Sequence, residues 1–364
     1  MSRPRGALAL PERANLEQLR KQAKDAHTRG EHPTLAAAQL ALARTYGYSS
    51  WTTLKRGVEL ATLYRLITEG EVEPVRAVLA RSPALVRARF DDGDTPLLLA
   101  VGENRPDLVE LLVRLGASTN TRLGASAHSA LSWAATTGSF AAAERLIALG
   151  AAPDLFAAAG LGLVDLVRGF WRDGRLLAHP STTGSSRFDA SGSRLPCPPA
   201  RDEDAVSDAL YIACRNGQLE ASRWLLDRGA DPNWRGFAGA TCLAWAEFSD
   251  NAPLSALLRE RGGRDDLLDP RYRAEPRVFA IMVLAGWGFG RRLAERLARD
   301  PAAANMRGAR GTVLHAAAEA GQRGSVAALL NAGADPRARD AAGRTPSEVA
   351  RAAGFAELAV TLGG

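Results

Sequence analysis

The hydrophobic and polar positions of this chain recur with a period of about 33 residues. The segment 311–317 reads Gly-Thr-Val-Leu-His-Ala-Ala, and the segment 344–350 reads Arg-Thr-Pro-Ser-Glu-Val-Ala. The same order, a polar residue followed by apolar positions and small alanines, recurs in four earlier copies, which begin at Thr95, Ser129, Asp208 and Thr241. This pattern predicts short amphipathic helices, and its fixed period predicts a stack of similar units.

Each copy continues with a second apolar segment that ends at a glycine. Leu225 and Leu226 lead to Gly229-Ala230-Asp231, and later copies keep this order. A threonine can cap the first helix, proline fits its first position, and glycine can end the second helix in a left-handed conformation. One such unit cannot bury its own apolar face, so the pattern predicts that neighbouring units stack.

The repeated unit resembles the ankyrin repeat, whose signature is Thr-Pro-Leu-His-x-Ala. The resemblance covers roughly residues 60–364 and implies an all-α solenoid of stacked antiparallel helix pairs joined by β-turn or hairpin loops. Of the copies, that at Thr312 keeps the signature histidine, His315. In the family this histidine ties the turn to the helix start, so its loss elsewhere implies weaker individual repeats and not a different fold.

The predicted organisation has four parts. Residues 1–60 form an N-terminal tail and helical cap, and 61–171 contain repeats of which the first is partly degenerate. Residues 172–206 are an insertion rich in Gly, Ser and Pro. Residues 207–364 contain further repeats, with a degenerate stretch near 264–310.

Two of these parts leave alternatives open. Within residues 13–60, Asn15 is expected to cap a first helix, and the segment resembles the N-terminal cap of a bacterial ankyrin-repeat subfamily. We interpret it as a cap that shields the first repeat, the alternative being an independent partner-binding helix. The insertion 172–206 cannot bury a core, so it is either a disordered loop or a finger that folds over the binding groove.

The apolar segments and the cysteines of the sequence indicate where in the cell the protein is expected. No stretch approaches the ~20 apolar residues that cross a bilayer, and the N-terminus lacks the apolar core of a signal peptide. The three cysteines show no Cys-x-x-Cys spacing, which argues against a zinc site and favours reduced thiols. We therefore expect a monomeric cytoplasmic protein with no membrane partner.

The net charge is +6, and the basic residues are almost all arginine. Six net charges give a weak electrostatic field unless they cluster on the surface. No basic helix or aromatic stacking motif accompanies them, so nucleic acid is the less favoured partner class.

The sequence predicts no catalytic residue, cofactor or metal ligand. None of the five histidines stands in a metal-binding pattern, and no nucleophile elbow is present. The glycine-rich run 286–292 precedes a helix and could in principle cradle phosphate, but it lacks the spacing of known phosphate loops, so a helix–helix turn is preferred. The alternative function is an atypical enzyme or small-molecule-binding protein that uses residues 264–310 and the insertion 172–206 as a pocket.

The favoured function is a protein-binding scaffold that uses its concave face and hairpin tips. Transferring the geometry implied by the resemblance selects candidate contact residues in the turns and on the exposed ends of the first helices. These residues are Arg122, His128, Arg215, Asn216, Trp234, Arg235, Phe237, Phe248, Arg307, Arg310, Arg339 and Arg344. The repeated arginines favour a partner with an acidic surface, although they could also serve only to keep the surface soluble.

Overall fold

A computed structural model of the chain describes the residues in the following ranges: 8, 10–11, 14–90, 93–120, 128–177, 201–236, 240–249, 251–264, 276–286, 288–308 and 311–363. The chain divides into two compact units. The first comprises Met1–Ala125 with Glu144–Ala151, and the second comprises Ser126–Ala143 with Ala152–Gly364.

The described elements of the first unit are helices and one 3₁₀ turn, Pro83–Arg87. The helices are α1 (Leu16–Thr28), α2 (Leu35–Thr45), α3 (Trp51–Glu69), α4 (Val72–Arg81), α5 (Pro96–Gly102) and α6 (Pro106–Arg114). The next helices along the chain are α7 (Ala130–Thr137) and α8 (Phe140–Ala148).

The rest of the second unit is also predominantly helical, with four two-residue strands and a 3₁₀ turn at Pro301–Asn305. The helices are α9 (Leu155–Gly160), α10 (Val164–Gly169), α11 (Asp202–Arg215), α12 (Leu219–Leu226), α13 (Cys242–Phe248), α14 (Ala252–Glu260), α15 (Pro276–Gly286), α16 (Gly290–Arg299), α17 (Val313–Glu319), α18 (Arg323–Asn331), α19 (Pro346–Ala352) and α20 (Ala356–Thr361). The strands are β1 (Trp171–Arg172), β2 (Arg175–Leu176), β3 (Arg307–Gly308) and β4 (Gly311–Thr312). Strands β1 and β2 form one antiparallel pair, with Trp171 opposite Leu176, and β3 and β4 form another, with Arg307 opposite Thr312.

The helices of the second unit stack in two rows. The first helix of each pair packs on the first helix of the next, in the order α7, α9, α11, α13, α15, α17 and α19. In the second row, α12 packs on both α10 and α14, and α16 packs on α18. A continuous core of buried side chains runs along this stack, from Ala135 to Leu362. The predicted fold class, all-α and built from stacked antiparallel helix pairs, is confirmed.

The predicted caps occupy the starts of these helices. The Thr241 side chain accepts a hydrogen bond from the Ala244 N–H at 3.2 Å, and Thr345 and Glu348 form a reciprocal capping box. In the first unit, Asn15 accepts from the Glu17 N–H at 2.8 Å and begins α1, as the sequence predicted. Because a side-chain oxygen satisfies a backbone donor that has no partner within the helix, these residues determine where each helix begins.

Helix α11 begins earlier than the repeat pattern predicts. It starts at Asp202, inside the predicted insertion 172–206, and its first turn is entirely acidic, which suits a helix N-terminus. Asp204 and Val206 are buried there, and the Arg201 guanidinium donates to both oxygens of the Asp204 carboxylate, at 2.9 and 3.1 Å. Residues 178–200 of the insertion lie outside the described residues, so both interpretations of it stay predictions.

The stretch near 264–310 contains an ordinary helix pair. Helices α15 and α16 are joined between Gly286 and Gly290, as the preferred interpretation of the glycine-rich run predicted. Residues 265–275 lie outside the described part of the chain. Among the helices that the structure describes, none is both long and apolar enough to span a membrane.

Candidate functional site

The hairpin turn that precedes α19 is built around the buried side chain of Asp340. One carboxylate oxygen accepts the backbone N–H groups of Ala342 and Arg344, both at 2.8 Å. The other accepts from the Arg344 guanidinium at 2.9 Å. These hydrogen bonds, that from the Arg344 backbone first, lower the pKa of Asp340, so the turn is stabilised by an ionised carboxylate.

Arginine side chains lie along this turn and the preceding one. The Arg339 guanidinium donates to the Gly343 carbonyl at 2.6 Å, and the Arg307 guanidinium donates to the Arg339 carbonyl at 2.6 Å. Both residues are exposed, as is Arg344, and we call these three the turn arginines. Backbone carbonyls hold the first two guanidinium groups in place without removing them from water.

The signature histidine connects the same two turns. The His315 Nδ1 lies 3.1 Å from the Thr312 backbone N and 2.8 Å from its hydroxyl oxygen. The other ring nitrogen, Nε2, lies 2.9 Å from the Arg344 carbonyl of the following turn. If Nδ1 accepts from the Thr312 N–H, Nε2 carries the proton and donates to that carbonyl, so one buried side chain joins consecutive repeats.

Three segments of the chain match the family model described as the ankyrin repeat. They are residues 92–122, 208–236 and 311–341. This chain is an ankyrin-repeat protein. The third matched segment contains His315 and one of the turn arginines, Arg339, and the second contains Trp234. Ankyrin repeats generally mediate protein–protein interaction, which supports a scaffold role for this ankyrin-repeat protein.

A further turn of the second unit carries Trp234 and Arg235, both of which are half-buried. The Trp234 Nε1–H donates to the Asp208 carboxylate at 3.4 Å, a contact that ties the turn to α11. Arg235 pairs through its backbone with Thr241, the cap of α13. Both residues therefore lie in a turn, as predicted, but they are less accessible than the turn arginines.

The remaining candidate residues separate by environment. Those outside the described residues are Arg122, Phe237 and Arg310. Phe248 ends α13, but its side chain is not among those described. Asn216 is half-buried and donates to the carbonyls of Ala135 and Gly160, both at 2.8 Å, so it joins the ends of neighbouring repeats.

The expected exposure of two candidates is wrong. His128 is 5% exposed and packs against the Phe156 ring, with the ring centroids 5.3 Å apart. Arg215 is 1% exposed, with its guanidinium carbon 4.8 Å from the ring centroids of both Trp245 and Phe289. The sequence placed Arg215 at the open end of a helix, but two aromatic rings from later repeats cover that end.

The sequence analysis assigned Arg291 and Arg292 to the helix–helix turn 286–292, and in the structure they lie beside Arg215 at the start of α16. Arg292 donates to the Arg215 carbonyl at 3.3 Å. We call Arg215, Arg291 and Arg292 the helix-end cluster. The sequence shows that Arg291 and Arg292 are adjacent. It does not show that they contact residues of much earlier repeats. Among the described residues, no group of His, Cys, Asp and Glu side chains could hold a metal ion.

Proposed function

We propose that this protein is a non-catalytic scaffold that binds an acidic protein surface through its hairpin turns and the adjacent ends of its first helices. The observation that supports this most directly is the set of turn arginines, Arg307, Arg339 and Arg344. All three are exposed and lie on consecutive turns of the second unit. Their arrangement distinguishes them from arginines scattered over a surface.

The chemistry of these side chains suits a carboxylate-rich partner. A guanidinium group presents five N–H donors in a planar fork that matches a carboxylate, and it forms stronger hydrogen bonds with an anion than with a neutral acceptor. Because the Arg307 and Arg339 guanidinium groups already bond to backbone carbonyls, binding would immobilise them at a smaller entropic cost.

Trp234 and Arg235 extend the proposed face to an earlier turn. The hydrogen bond from Trp234 to Asp208 holds the indole ring half-buried, which leaves part of its apolar surface for a partner. Tryptophan and arginine are the residue types that most often dominate the energetics of protein interfaces. Monomeric, cytoplasmic action completes the proposal.

Charge reversal at the turns tests this proposal. The double variant Arg307→Glu/Arg339→Glu is compared with Arg299→Glu/Arg351→Glu, which changes the net charge equally at exposed helix positions of the same unit. The wild-type protein and each double variant are used to retain proteins from a lysate of the source organism. The affinity of each for the retained partner is then measured by calorimetry. We expect the turn variant to lose at least tenfold in affinity and the control to lose less than threefold.

Two further arms identify the partner class. Excess duplex DNA should leave a protein complex intact, and Trp234→Ala should weaken it without unfolding the chain. The proposal is overturned if both charge-reversal pairs weaken binding equally, since only net charge would then matter. It is also overturned if DNA displaces the partner. The alternative function, an atypical enzyme using 264–310 and 172–206, stays a prediction because much of that region lies outside the described residues.

A further inference from the structure

The first turn of α16 is hydrogen-bonded to a helix that lies several repeats earlier in the second unit. The Arg291 guanidinium donates to the Thr137 carbonyl at 2.8 Å and to the Ser139 hydroxyl at 3.2 Å. Arg292 donates to the Thr136 carbonyl at 3.3 Å. Thr136 and Thr137 end α7, and the helix pairs α9–α10, α11–α12 and α13–α14 lie between α7 and α16 in the chain. A repeat ordinarily contacts its immediate neighbours alone, so these hydrogen bonds connect repeats that the stacking pattern does not bring together.

The acceptors suit a positively charged donor. The last carbonyl groups of a helix have no partner within it, and they carry the partial negative charge of the helix C-terminus. The Arg292 guanidinium also donates to the Arg215 carbonyl at 3.3 Å, at the end of α11. Gly138 caps α7 in a left-handed conformation with a φ of 67°, and a Cβ atom there would lie 3.2 Å from the Arg292 Nε. The Arg292 side chain therefore occupies the space beside both helix ends.

The ends of three first helices approach one another closely in this region. The Asn216 side chain, which follows α11, donates to the carbonyls of Ala135 in α7 and Gly160 in α9, both at 2.8 Å. Gly160 leaves no room for a larger residue, because a Cβ atom there would lie 2.7 Å from the Ile212 Cγ1 and 2.9 Å from the Ala135 Cβ. Since α16 meets α7 on the same side, the row formed by α7, α9, α11, α13 and α15 curves toward the C-terminal ends of its helices.

We propose that Arg291 and Arg292 form a clasp, closed on the ends of α7 and α11, that fixes the curvature of this row and makes its early and late helix pairs unfold together. The curvature of a stack is the sum of small rotations between neighbours, and each interface leaves its rotation some freedom. A contact that spans several interfaces removes this freedom, because a change at any of them would break it. The Arg291 side chain is 23% exposed, so water can replace its acceptors when the clasp opens.

The clasp has a consequence for partner binding, which rests on the proposed function. If the turns of the second unit contact a partner, a row of fixed curvature holds those turns at a fixed spacing and lowers the entropic cost of ordering them. The clasp itself needs no partner and is tested on the chain alone. Its failure would leave the partner surface standing, and the absence of a partner would leave the clasp standing.

Distances between two spin labels measure whether the clasp fixes the row. The labels are attached to Ala141→Cys on α8 and Ala298→Cys on α16, both at exposed positions of the second unit. Cys197 is replaced by serine in all samples, and the thiols of Cys214 and Cys242 are buried from the label. Pulsed EPR on frozen samples then gives the distance distribution between α8 and α16.

The clasp variant Arg291→Gln/Arg292→Gln is compared with Arg299→Gln/Arg351→Gln, which removes two exposed arginines of the same unit. Circular dichroism establishes that each variant is folded. We expect a longer mean distance and a broader distribution in the clasp variant, and the wild-type distribution in the control. Identical distributions in the two folded variants would overturn the proposal.

Hydrogen exchange tests the coupling and covers the case in which the double variant does not fold. Arg291→Gln alone shortens a partly exposed side chain and should leave the fold intact. The amides that follow α7 include that of Ser139, which donates to the Ala134 carbonyl. They should exchange roughly tenfold faster in this variant, the factor that corresponds to the loss of one hydrogen bond to a charged group.

The same measurement in increasing denaturant compares the two ends of the row. In the wild type, the amides of α7 and α16 should lose protection at one denaturant concentration, whereas in Arg291→Gln they should lose it at two different concentrations. Exchange at the end of α7 that is unchanged in Arg291→Gln would show that the clasp does not hold this helix. A single common concentration in that variant would show that the clasp does not couple the early and late pairs, and either result rejects the proposal.

Discussion

Arginine occupies two contrasting environments in the second unit. The turn arginines Arg307 and Arg339 donate to backbone carbonyls at exposed hairpins, and their charge stays in water. In the helix-end cluster, Arg291 and Arg292 also donate to backbone carbonyls, but they lie next to Arg215, which is buried against two aromatic rings. The hydrogen-bond partners are similar, so the difference between the two groups lies in desolvation and in neighbouring charge.

This difference changes what each group can do. An exposed guanidinium group is available to a large partner at little desolvation cost, although each single contact contributes little. A desolvated cluster of like charges is unfavourable by itself, so it depends on the hydrogen bonds that hold it in place. The same residue type is therefore proposed to contact a partner at the turns, whereas at the helix ends it donates hydrogen bonds to carbonyls of earlier repeats.

Removing the aromatic cover of the cluster should have the largest effect on stability. Trp245→Ala takes away a side chain that is 1% exposed, its contact with Arg215, and its 2.8 Å hydrogen bond to the Tyr211 hydroxyl. We expect a loss of about 3–5 kcal/mol in the free energy of unfolding, measured by chemical denaturation. Trp224→Ala, at a half-buried position beside Arg228, is the control and should cost less. Equal losses would show that the cluster does not depend on its aromatic cover.

Among single changes at the turns, His315→Ala should cause the largest loss in the free energy of unfolding. It leaves the Thr312 N–H and the Arg344 carbonyl without the partner that joins two repeats. We expect a loss of about 1–3 kcal/mol by the same measurement, because buried polar groups lose their hydrogen bonds. His315→Asn, which keeps a polar side chain able to reach the helix start, should lose less. No difference between the two variants would mean that the ring contributes packing and not hydrogen bonding.

The pH dependence of stability should separate the two groups of arginines. Because the folded-state pKa of Arg292 lies near 9, well below its usual value in an unfolded chain, the unfolded chain binds more protons above pH 9. Arg292 should therefore make the wild type relatively more stable as the pH rises from 9 to 10. Arg292→Met should lack this increment when unfolding is measured across that range, whereas Arg307→Met should retain it. A parallel pH profile for all three proteins would contradict a desolvated Arg292.

The smallest effect should come from shortening an exposed turn arginine. Arg307→Ala removes one hydrogen bond to a carbonyl that also faces water, so the free energy of unfolding should change by less than about 0.5 kcal/mol. The same change should still weaken partner binding, measured by calorimetry on the complex. A large loss of stability would instead assign Arg307 a structural role and weaken the comparison with the helix-end cluster.

Local pattern was sufficient to predict the helices and their starts. Asn15, Thr241 and Thr345 act through atoms two or three residues away, so their positions in the sequence already contain the geometry. The role of His315 was available through the resemblance and agrees with its contacts. Helix α11 was predicted too short, because the charges of its first turn resemble those of a solvent-exposed insertion.

The candidate site was less predictable than the fold. The turn arginines are exposed, as expected, because few other parts of the chain can reach a residue in a hairpin turn. It was wrong for His128 and Arg215, which are covered by residues of other repeats. A repeat pattern specifies equivalent positions but contains no information about which of them a distant part of the chain will bury.

The sequence by itself determined that this protein is a stack of helix pairs, because period, caps and glycine turns depend on interactions within one repeat. The tertiary structure alone decided that Arg291 and Arg292 meet the ends of α7 and α11, more than 70 residues earlier in the chain. That contact depends on how each repeat of the second unit is oriented on the next, summed over several repeats. Desolvation and charge repulsion there arise from residues that no local pattern relates.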